Sequence, residues 1–201
     1  MSYFTDGRQA RAEQLIAIYP EQRSALIPLC HLVQEQDGYL SEEGMVAVAE
    51  LCGVTPAEVR GTATFYDMLH TEPVGKYLVG VCTNIACLLA GGLELLEHAE
   101  GSLGVRVGAT TEDGLFTLEE TECLADCNIA PCVQVNHRYV RTTTPEQFDA
   151  LVSELRDGGR ASEIPSHGTL IRTRRDVDLA ADPGLVAQER AARRAAVEGQ
   201  S

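Results

Sequence analysis

The sequence predicts an α+β fold, in which a helical N-terminal region precedes a small domain built on a β-sheet. Apolar residues in the first third of the chain recur at the helical spacing of three and four. After Pro73 the pattern changes to short β-rich runs, of which "KYLVGVC" at 76–82 is the first. Near the end of this second region, "TPEQFDALVSEL" at 144–155 again has helical periodicity.

The first predicted helix lies within 24–38, where four apolar residues form one stripe and Gly38 can end the helix. The stripe consists of Leu26, Leu29, Cys30 and Val33. Pro28 lacks the backbone N–H that an interior helical residue donates. The helix therefore either begins near Ser24, which leaves Pro28 close to its first turn, or kinks at Pro28.

Capping signals place two further helices before Pro73. Ser41 can cap one helix, which Gly53 can stop. The next begins at "TPAE", where Thr55 can cap, Pro56 suits the first helical position and Glu58 can complete a capping box.

The second region reads as a strand, a helix, and then a mainly antiparallel meander. A leucine-rich helix is predicted from about Cys87 to Glu100. The segments "GVRVG" at 104–108 and "LFTLEE" at 115–120 are predicted strands on either side of the Asp113-Gly114 turn signal. A hairpin of "CVQVN" and "YVRT" follows, and then a helix capped by Thr144. This order suits a small thioredoxin-like sheet.

The predicted domains are 1–73 (helical), 74–157 (sheet-containing) and 158–201 (an arm). Gly, Arg, Asp and Pro dominate the arm, and its last segment lacks a continuous apolar face. We expect the arm either to dock onto a partner or to be disordered.

Composition narrows the range of partners. The chain has 201 residues and a formal net charge of −14, so nucleic acid and anionic membrane surfaces are disfavoured by like-charge repulsion. A basic or neutral protein surface fits this charge, and simple solubility explains it equally well. No run approaches the ~20 apolar residues that span a bilayer, and the N-terminus does not read as a secretory signal. A protein of the reducing cytosol is expected.

The cysteines carry the strongest functional signal. Cys82 and Cys87 flank four residues where a predicted strand gives way to a helix, and Cys123 and Cys127 flank three residues in a loop between strands. Loops at the ends of strands in one sheet can meet, so four thiols can converge. Four converging thiolates indicate a metal centre.

The spacing of the cysteines distinguishes between the two kinds of metal centre that four cysteines commonly bind. Structural zinc usually uses a C-x2-C element, whereas these wider spacings suit a larger 2Fe-2S cluster. A thiol-disulfide enzyme would need C-x-x-C, and Rieske ligation would need histidines in these loops. No nucleotide-binding glycine motif follows a predicted strand, so NAD, FMN and ATP sites are not expected in this chain.

The remaining cysteines and two histidines receive ordinary structural interpretations. Cys30 and Cys52 lie on apolar helical stripes and are expected to pack as small hydrophobes. Cys132 is expected mainly to pack, with a redox or substitute-ligand role as the alternative. His98 and His137 are expected to be surface residues.

Small residues beside the thiols leave backbone N–H groups able to approach the sulfurs. Ala86 and Ala125 are examples, and Pro131 stiffens the exit of the second loop. Because an acidic protein opposes the addition of an electron, a low reduction potential is expected.

These motifs resemble a known family. "CTNIACLLAGG" and "ECLADCNIAPCVQVN", preceded by "SALIPLCHLVQEQDGYLS" and "TPAEVRGTATFYDMLHTEPVGKYLV", are similar to the thioredoxin-like 2Fe-2S ferredoxins that form the E subunit of NADH-quinone oxidoreductase, respiratory complex I. The likeness runs from about Tyr19 to Leu155. It implies a helical domain followed by a thioredoxin-like α/β sandwich with one 2Fe-2S cluster held by Cys82, Cys87, Cys123 and Cys127.

The resemblance also implies an assembly. The cluster would exchange single electrons with the FMN of a partner flavoprotein subunit, which also binds NADH, within a complex peripheral to the inner face of the cytoplasmic membrane. The same subunit type occurs in NAD-dependent formate dehydrogenases and NAD-reducing hydrogenases, and a zinc-stabilised structural module is the alternative from another class. Family members commonly have Gly where Ala125 stands and a small uncharged residue where Asp126 stands, so Asp126 is expected to lower the potential.

Overall fold

The computed structural model describes residues 3–5, 7–168, 188 and 191. These residues fall into two compact units, with 3–73 in the first and 74–168 in the second. Most of the predicted arm at 158–201 lies outside the described residues. Within the described part of the chain, no helix has both the length and the hydrophobicity that crossing a membrane requires.

The first unit is helical. It contains α1 (Arg8–Ala17), a 3-10 turn (Gln22–Ala25), α2 (Leu26–Asp37), α3 (Glu42–Cys52) and α4 (Pro56–Ala63). The sequence analysis missed α1, although Ala12, Leu15 and Ile16 stand at helical spacing and lie in or against the core of the unit. Because α2 begins at Leu26, Pro28 lies in its first turn, where no intrahelical N–H bond is lost.

The predicted caps of this unit are confirmed. The Ser41 side chain accepts a hydrogen bond from the Gly44 amide at 3.1 Å, and Gly53 ends α3 with a φ of 65°. Thr55 and Glu58 form a complete capping box at the start of α4. Cys30 and Cys52 lie in the core of the unit, as predicted, and burial raises the pKa of Cys30 to about 12.

The second unit is a four-stranded mixed sheet with helices against it. Its elements are β1 (Tyr77–Cys82), α5 (Ile85–Leu89), α6 (Gly92–Leu103), β2 (Phe116–Thr121), a 3-10 turn (Cys127–Ile129), β3 (Val133–Val135), β4 (Arg138–Val140) and α7 (Pro145–Arg156). The strand order is β2-β1-β3-β4. Strand β1 pairs parallel with β2 and antiparallel with β3, and β3 pairs antiparallel with β4.

Two predicted elements of this unit are wrong. The helix expected from Cys87 to Glu100 is two helices, because the chain turns at Gly91 with a φ of 92°. The segment 104–108 is not a strand: the Val105 amide donates to the Glu100 carbonyl at 3.2 Å, and the Val107 amide donates to the Glu100 carboxylate at 3.0 Å. The meander prediction fails with it, since β1 and β2 form a parallel pair across a helical crossover.

The predicted hairpin of β3 and β4 is confirmed. Its turn residues Asn136 and His137 have φ values of 48° and 61°, the left-handed conformations that a tight two-residue hairpin turn requires. The predicted helix α7 is also confirmed, and the Thr144 hydroxyl accepts from the Gln147 amide at 3.4 Å.

The segment 158–168 packs against the second unit. Ile164 is 2% exposed and belongs to the core of that unit. The Asn136 side-chain amide donates to the Pro165 carbonyl at 2.8 Å, and the His167 amide donates to the Lys76 carbonyl at 2.8 Å. These contacts hold the chain beyond α7 against β1 and the hairpin turn.

Candidate metal centre

The thiol-bearing loops leave the sheet at one edge. Because β1 and β2 are parallel and in register, with Cys82 opposite Thr121, both strands end at the same level. The Thr83 amide donates to the Thr121 carbonyl at 3.2 Å, and its hydroxyl donates to the Glu120 carboxylate at 2.6 Å. The loop after β1 and the loop after β2 therefore begin side by side, which is the geometry that the sequence analysis expected of strand-end loops.

The first pair of thiols is buried. Cys82 is the last residue of β1, and Cys87 lies in the short helix α5, which Asn84 caps by accepting from the Ile85 amide at 2.9 Å. Both cysteines are 2% exposed. Their side chains are close enough to share a hydrogen bond.

Gly92 allows α6 to approach this pair. A Cβ atom at position 92 would lie 2.7 Å from the Cys82 carbonyl oxygen and 2.8 Å from the Cys87 carbonyl oxygen. Only a residue without a side chain fits there without a shift of the backbone. The close approach of α6 to the backbone of both cysteines thus depends on Gly92, the residue after the turn at Gly91.

Cys132 joins the first pair in one buried group. It is 1% exposed, and the three cysteines contact each other beneath Leu124, Ile129 and Ala130. The Cys82 amide donates to the Cys132 carbonyl at 3.0 Å, which extends the β1–β3 pairing by one residue. We call Cys82, Cys87 and Cys132 the buried thiol group.

Cys123 and Cys127 are exposed and lie outside this buried group. Both belong to the loop after β2, in which Ala125 has a φ of 59° and the Ala130–Pro131 peptide is cis. The left-handed conformation at Ala125 is one that glycine adopts without cost and that a residue with a side chain rarely adopts. The structure thus brings two of the four predicted ligands together, and places the other two on the neighbouring loop.

Two buried thiols act as donors to the backbone of that loop. The Cys82 Sγ–H donates to the Glu122 carbonyl at 3.1 Å, and the Cys132 Sγ–H donates to the Asp126 carbonyl at 2.8 Å. Each acceptor immediately precedes an exposed cysteine, Glu122 before Cys123 and Asp126 before Cys127. The buried thiol group and the exposed pair are therefore linked through the backbone of one loop.

Burial is the main cause of the raised pKa values of Cys87 and Cys132. It raises the pKa of Cys87, which the hydrogen bond with Cys82 raises further and a hydrogen bond from the Cys132 amide lowers. Burial raises the pKa of Cys132 to about 12, and the neighbouring Cys87 adds to this. Both thiols are neutral at pH 7 in this arrangement, and a thiol must lose its proton when it binds a metal.

The chemistry of the donor set fits a 2Fe-2S cluster. Five thiols lie at the ends of adjacent strands and in the segments that follow or precede them, and such clusters are held by cysteine thiolates. Within residues 3–5 and 7–168, no three Cys, His, Asp or Glu side chains are arranged to hold a single metal ion.

An apolar surface borders the site. Ile85 and Leu89 on α5 are 73% and 82% exposed, and Leu88 and Leu93 are 44% and 47% exposed. We call these four residues the apolar rim. Exposed acidic residues lie nearby in the sequence elements around the rim, for example Glu94 in α6 and Glu120 in β2.

Comparison with known proteins gives the class of this fold and site. Residues 12–156 match the family described as thioredoxin-like [2Fe-2S] ferredoxin. The chain belongs to this family, and its cofactor is accordingly one 2Fe-2S cluster.

Particular relatives share much of the chain. It is 46% identical over 145 residues to the E subunit of the NADH-quinone oxidoreductase of Mycobacterium tuberculosis, covering 72% of this chain and 58% of that protein. It is 40% identical over 168 residues to NADH-quinone oxidoreductase subunit 2 of Thermus thermophilus, covering 82% of this chain and 93% of that protein. The chain thus spans little more than half the length of the mycobacterial relative.

A solved structure has the same fold. The air-oxidised NAD+-reducing [NiFe]-hydrogenase contains a matching region with a TM-score of 0.59 and 22% sequence identity. The match covers 80% of this chain and 26% of the hydrogenase chain.

The part of the site that the sequence analysis left open is the position of Cys132. The sequence contains a weak indication of this position. If Val81 pairs with Val133 in antiparallel strands, Cys82 lies opposite Cys132.

Proposed function

We propose that this chain is the electron-transferring E subunit of an NADH-quinone oxidoreductase, the respiratory complex I, in which it holds one 2Fe-2S cluster. The observation that carries the proposal is the 40% identity to the Thermus subunit, because that match covers 93% of the relative. The thiol-bearing loops at one sheet edge give the same assignment a physical basis.

The proposed ligands are Cys82, Cys87, Cys123 and Cys127. The first two are already together, while Cys123 and Cys127 are on the exposed face of the adjoining loop. Loading therefore requires these two side chains to turn toward the buried thiol group. When bound, the cluster accepts and returns one electron at a time.

The protein contributes positioning and shielding. Cys82 is fixed by the β1 ladder, and Cys87 by α5 and its contact with Gly92. The buried thiols are shielded from water by the apolar side chains of Leu124, Ile129 and Ala130. The loop backbone supplies groups that can hydrogen-bond to sulfur.

The proposed partner is a flavoprotein subunit that binds FMN and NADH and docks on the apolar rim. Apolar side chains at the centre of an interface are desolvated on binding, and the surrounding acids favour a partner edged with Lys and Arg. The complex would place this chain peripherally at the inner face of the cytoplasmic membrane. The domain division at 73 and a docking role for the arm are part of this proposal, with the second domain extended from 157 to 168 because Ile164 belongs to its core.

The equivalent subunit of an NAD-reducing hydrogenase or an NAD-dependent formate dehydrogenase is the second candidate. The hydrogenase match extends over 80% of this chain, so the fold serves that assembly as well. The sequence identity to complex I subunits is about twice as high, which favours the first candidate.

Anaerobic metal analysis and reduction by NADH test the proposal together. Protein purified without oxygen is assayed for iron, acid-labile sulfide and zinc, and then mixed with NADH with and without the co-expressed flavoprotein subunit. We expect iron and sulfide, and an EPR signal of a reduced cluster only when the partner is present. Stoichiometric zinc without sulfide would instead establish the structural module.

A matched pair of variants separates ligation from folding. Cys87→Ser removes a proposed ligand, and Cys30→Ser makes the same change in the core of the helical unit. Only Cys87→Ser should lose the visible absorbance of the cluster. Equal loss in both variants would contradict the proposed ligand role.

A further inference from the structure

The buried thiol group contains three cysteines, and only two of them, Cys82 and Cys87, are proposed ligands. Cys132 is as buried as Cys82 and Cys87, and it contacts both. A thiol that served packing alone would need only apolar neighbours. Cys132 has apolar neighbours, but it also contacts two other sulfur atoms and hydrogen-bonds to the loop that carries Cys127.

The contact with the loop is specific. The Cys132 Sγ–H donates to the Asp126 carbonyl at 2.8 Å, one residue before Cys127. Cys82, which is a proposed ligand, makes the corresponding contact one residue before Cys123. Cys132 is therefore placed relative to Cys127 as the proposed ligand Cys82 is placed relative to Cys123.

We propose that Cys132 is a substitute ligand of the 2Fe-2S cluster, able to take the place of Cys127. The inference rests on the proposed function, since it assumes that the cluster lies at the buried thiol group. It assigns a role to a residue that the proposed set of four cysteines leaves out.

The exchange is a ligand substitution and needs no oxidant. Cys127 leaves as a thiolate and takes up one proton, while Cys132 loses one proton and forms the new sulfur–iron bond. Protons and charge balance, and no electron is transferred. Because Cys132 already lies beside Cys82 and Cys87, the exchange needs movement of the loop only, and the backbone of β3 stays in place.

Three variants test the proposal: Cys127→Ala, Cys132→Val, and the two combined. Cys127 is exposed, so its truncation removes no core packing, and valine approximates the size of the buried Cys132 side chain. Each protein is reconstituted anaerobically with iron and sulfide. Iron content, acid-labile sulfide and the EPR spectrum of the dithionite-reduced protein are then measured.

We expect Cys127→Ala to keep a cluster with shifted g values, and Cys132→Val to keep the wild-type spectrum. The double variant should bind at least about tenfold less iron than Cys127→Ala, the scale on which loss of a supporting metal-site residue acts. Thermal unfolding followed by circular dichroism checks that all three variants fold, and Cys132→Ala replaces Cys132→Val if valine overpacks the site.

Three outcomes would overturn the proposal. Cys127→Ala could fold and bind no cluster, or the double variant could bind as much as Cys127→Ala. Cys132→Val alone could also lose the cluster, which would make Cys132 a resident ligand. A wild-type protein that binds no cluster at all would refute the proposed function, a failure distinct from these three.

Discussion

The Cys82 amide donates to the Cys132 carbonyl at 3.0 Å, so the last residue of β1 is tied to the residue that precedes β3. This bond joins the two loops of the site through the sheet, because one cysteine opens the first loop and the other closes the second. Sulfur atoms that are 50 positions apart in the sequence are thereby held in one buried group.

Gly92→Ala should destabilise the second unit. The added Cβ would lie 2.7 Å from the Cys82 carbonyl oxygen, a backbone atom that cannot move cheaply. We expect a loss of about 1–3 kcal/mol in the free energy of unfolding, measured by urea titration.

Gly101→Ala on the same helix is the matched control. No atom lies within 4 Å of the added Cβ there, so the change should stabilise by up to about 1 kcal/mol. Equal effects of the two substitutions would show that Gly92 does not set the packing of α6.

Asn136→Ala should be among the most damaging changes in the hairpin. The Asn136 side chain accepts from the Leu78 amide at 2.7 Å and donates to the carbonyls of Lys76 and Pro165 at 2.9 and 2.8 Å. Alanine leaves the Leu78 amide buried without this acceptor and must still adopt a positive φ. We expect a loss of about 2–4 kcal/mol in the free energy of unfolding, measured by denaturant titration.

His137→Gly, at the other turn position, is the control for backbone conformation. Its φ of 61° suits glycine, so the change should cost less than about 1 kcal/mol. A similar loss from His137→Gly and Asn136→Ala would mean that removing any side chain of the turn, and not the loss of the Asn136 hydrogen bonds in particular, destabilises the hairpin.

Asp149→Asn should weaken the contact between α6 and α7 at neutral pH. The Ser102 hydroxyl donates to Asp149 at 2.7 Å, and this bond, followed by that of His98 at 2.9 Å, lowers the pKa of the Asp149 carboxyl. A carboxyl with a lowered folded-state pKa stabilises the fold above its unfolded value near 3.9, and this contribution disappears as the pH falls through the folded-state value.

The pH dependence is the readout for this contact. Because Asp149 is largely exposed, we expect only about 0.5 kcal/mol at pH 7. Wild type and Asp149→Asn should converge in stability at acid pH, where Glu146 and His98 are the neighbouring titratable groups. A double-mutant cycle with Ser102→Ala should give a non-zero coupling energy, and simple additivity would show that the serine bond contributes nothing.

Leu89→Glu should weaken association with the proposed partner, a flavoprotein subunit. Leu89 is 82% exposed at the apolar rim, and a charge there must be desolvated when the interface forms. We expect the dissociation constant to rise about tenfold or more, measured by biolayer interferometry.

Val107→Glu provides the comparison, since Val107 is also an exposed apolar residue, but it follows α6 at the far end from the rim. Its dissociation constant should stay at the wild-type value. If both variants bind the partner as wild type does, the apolar rim is not the docking surface.

Asp126→Ala should raise the reduction potential of the cluster, because it removes a negative charge from the loop that carries two proposed ligands. The charge already acts on this site, since Asp126 contributes to the raised pKa of Cys132. Glu112→Gln is the control. It removes one negative charge at the other end of β2, far from the thiol-bearing loop, and should leave the reduction potential unchanged. An EPR-monitored redox titration measures the reduction potential of each variant. If both variants have the wild-type potential, Asp126 does not influence the cluster.

Local chemistry made part of this fold predictable. Ser41, Thr55 and Thr144 each cap the helix that the sequence assigned to them, because a cap depends on only three or four neighbouring residues. The buried strand β1 and the hairpin were also predictable, since a short β-rich apolar run and turn residues are visible within a short window.

Other errors concern contacts that a local sequence pattern does not show. The segment 104–108 alternates like a strand, but the Glu100 carboxylate captures the Val107 amide, and β1 takes β2 as its parallel neighbour. The burial of Cys132 beside Cys82 likewise depends on strand register, which the sequence of neither strand determines alone. Cysteine spacing thus indicated the cofactor but not the full membership of the buried group.

Ile164 and the backbone at 165 and 167 fill a gap beside β1 after the last helix has ended. The family similarity ends at 156, so the boundary of shared sequence and the boundary of stable packing differ by about a dozen residues. A protein that ended at residue 156 would lose Ile164 from the core of the second unit. The Asn136 side chain would also lose the Pro165 carbonyl as a hydrogen-bond acceptor. Any engineered version of the second unit should therefore extend at least to Gly168.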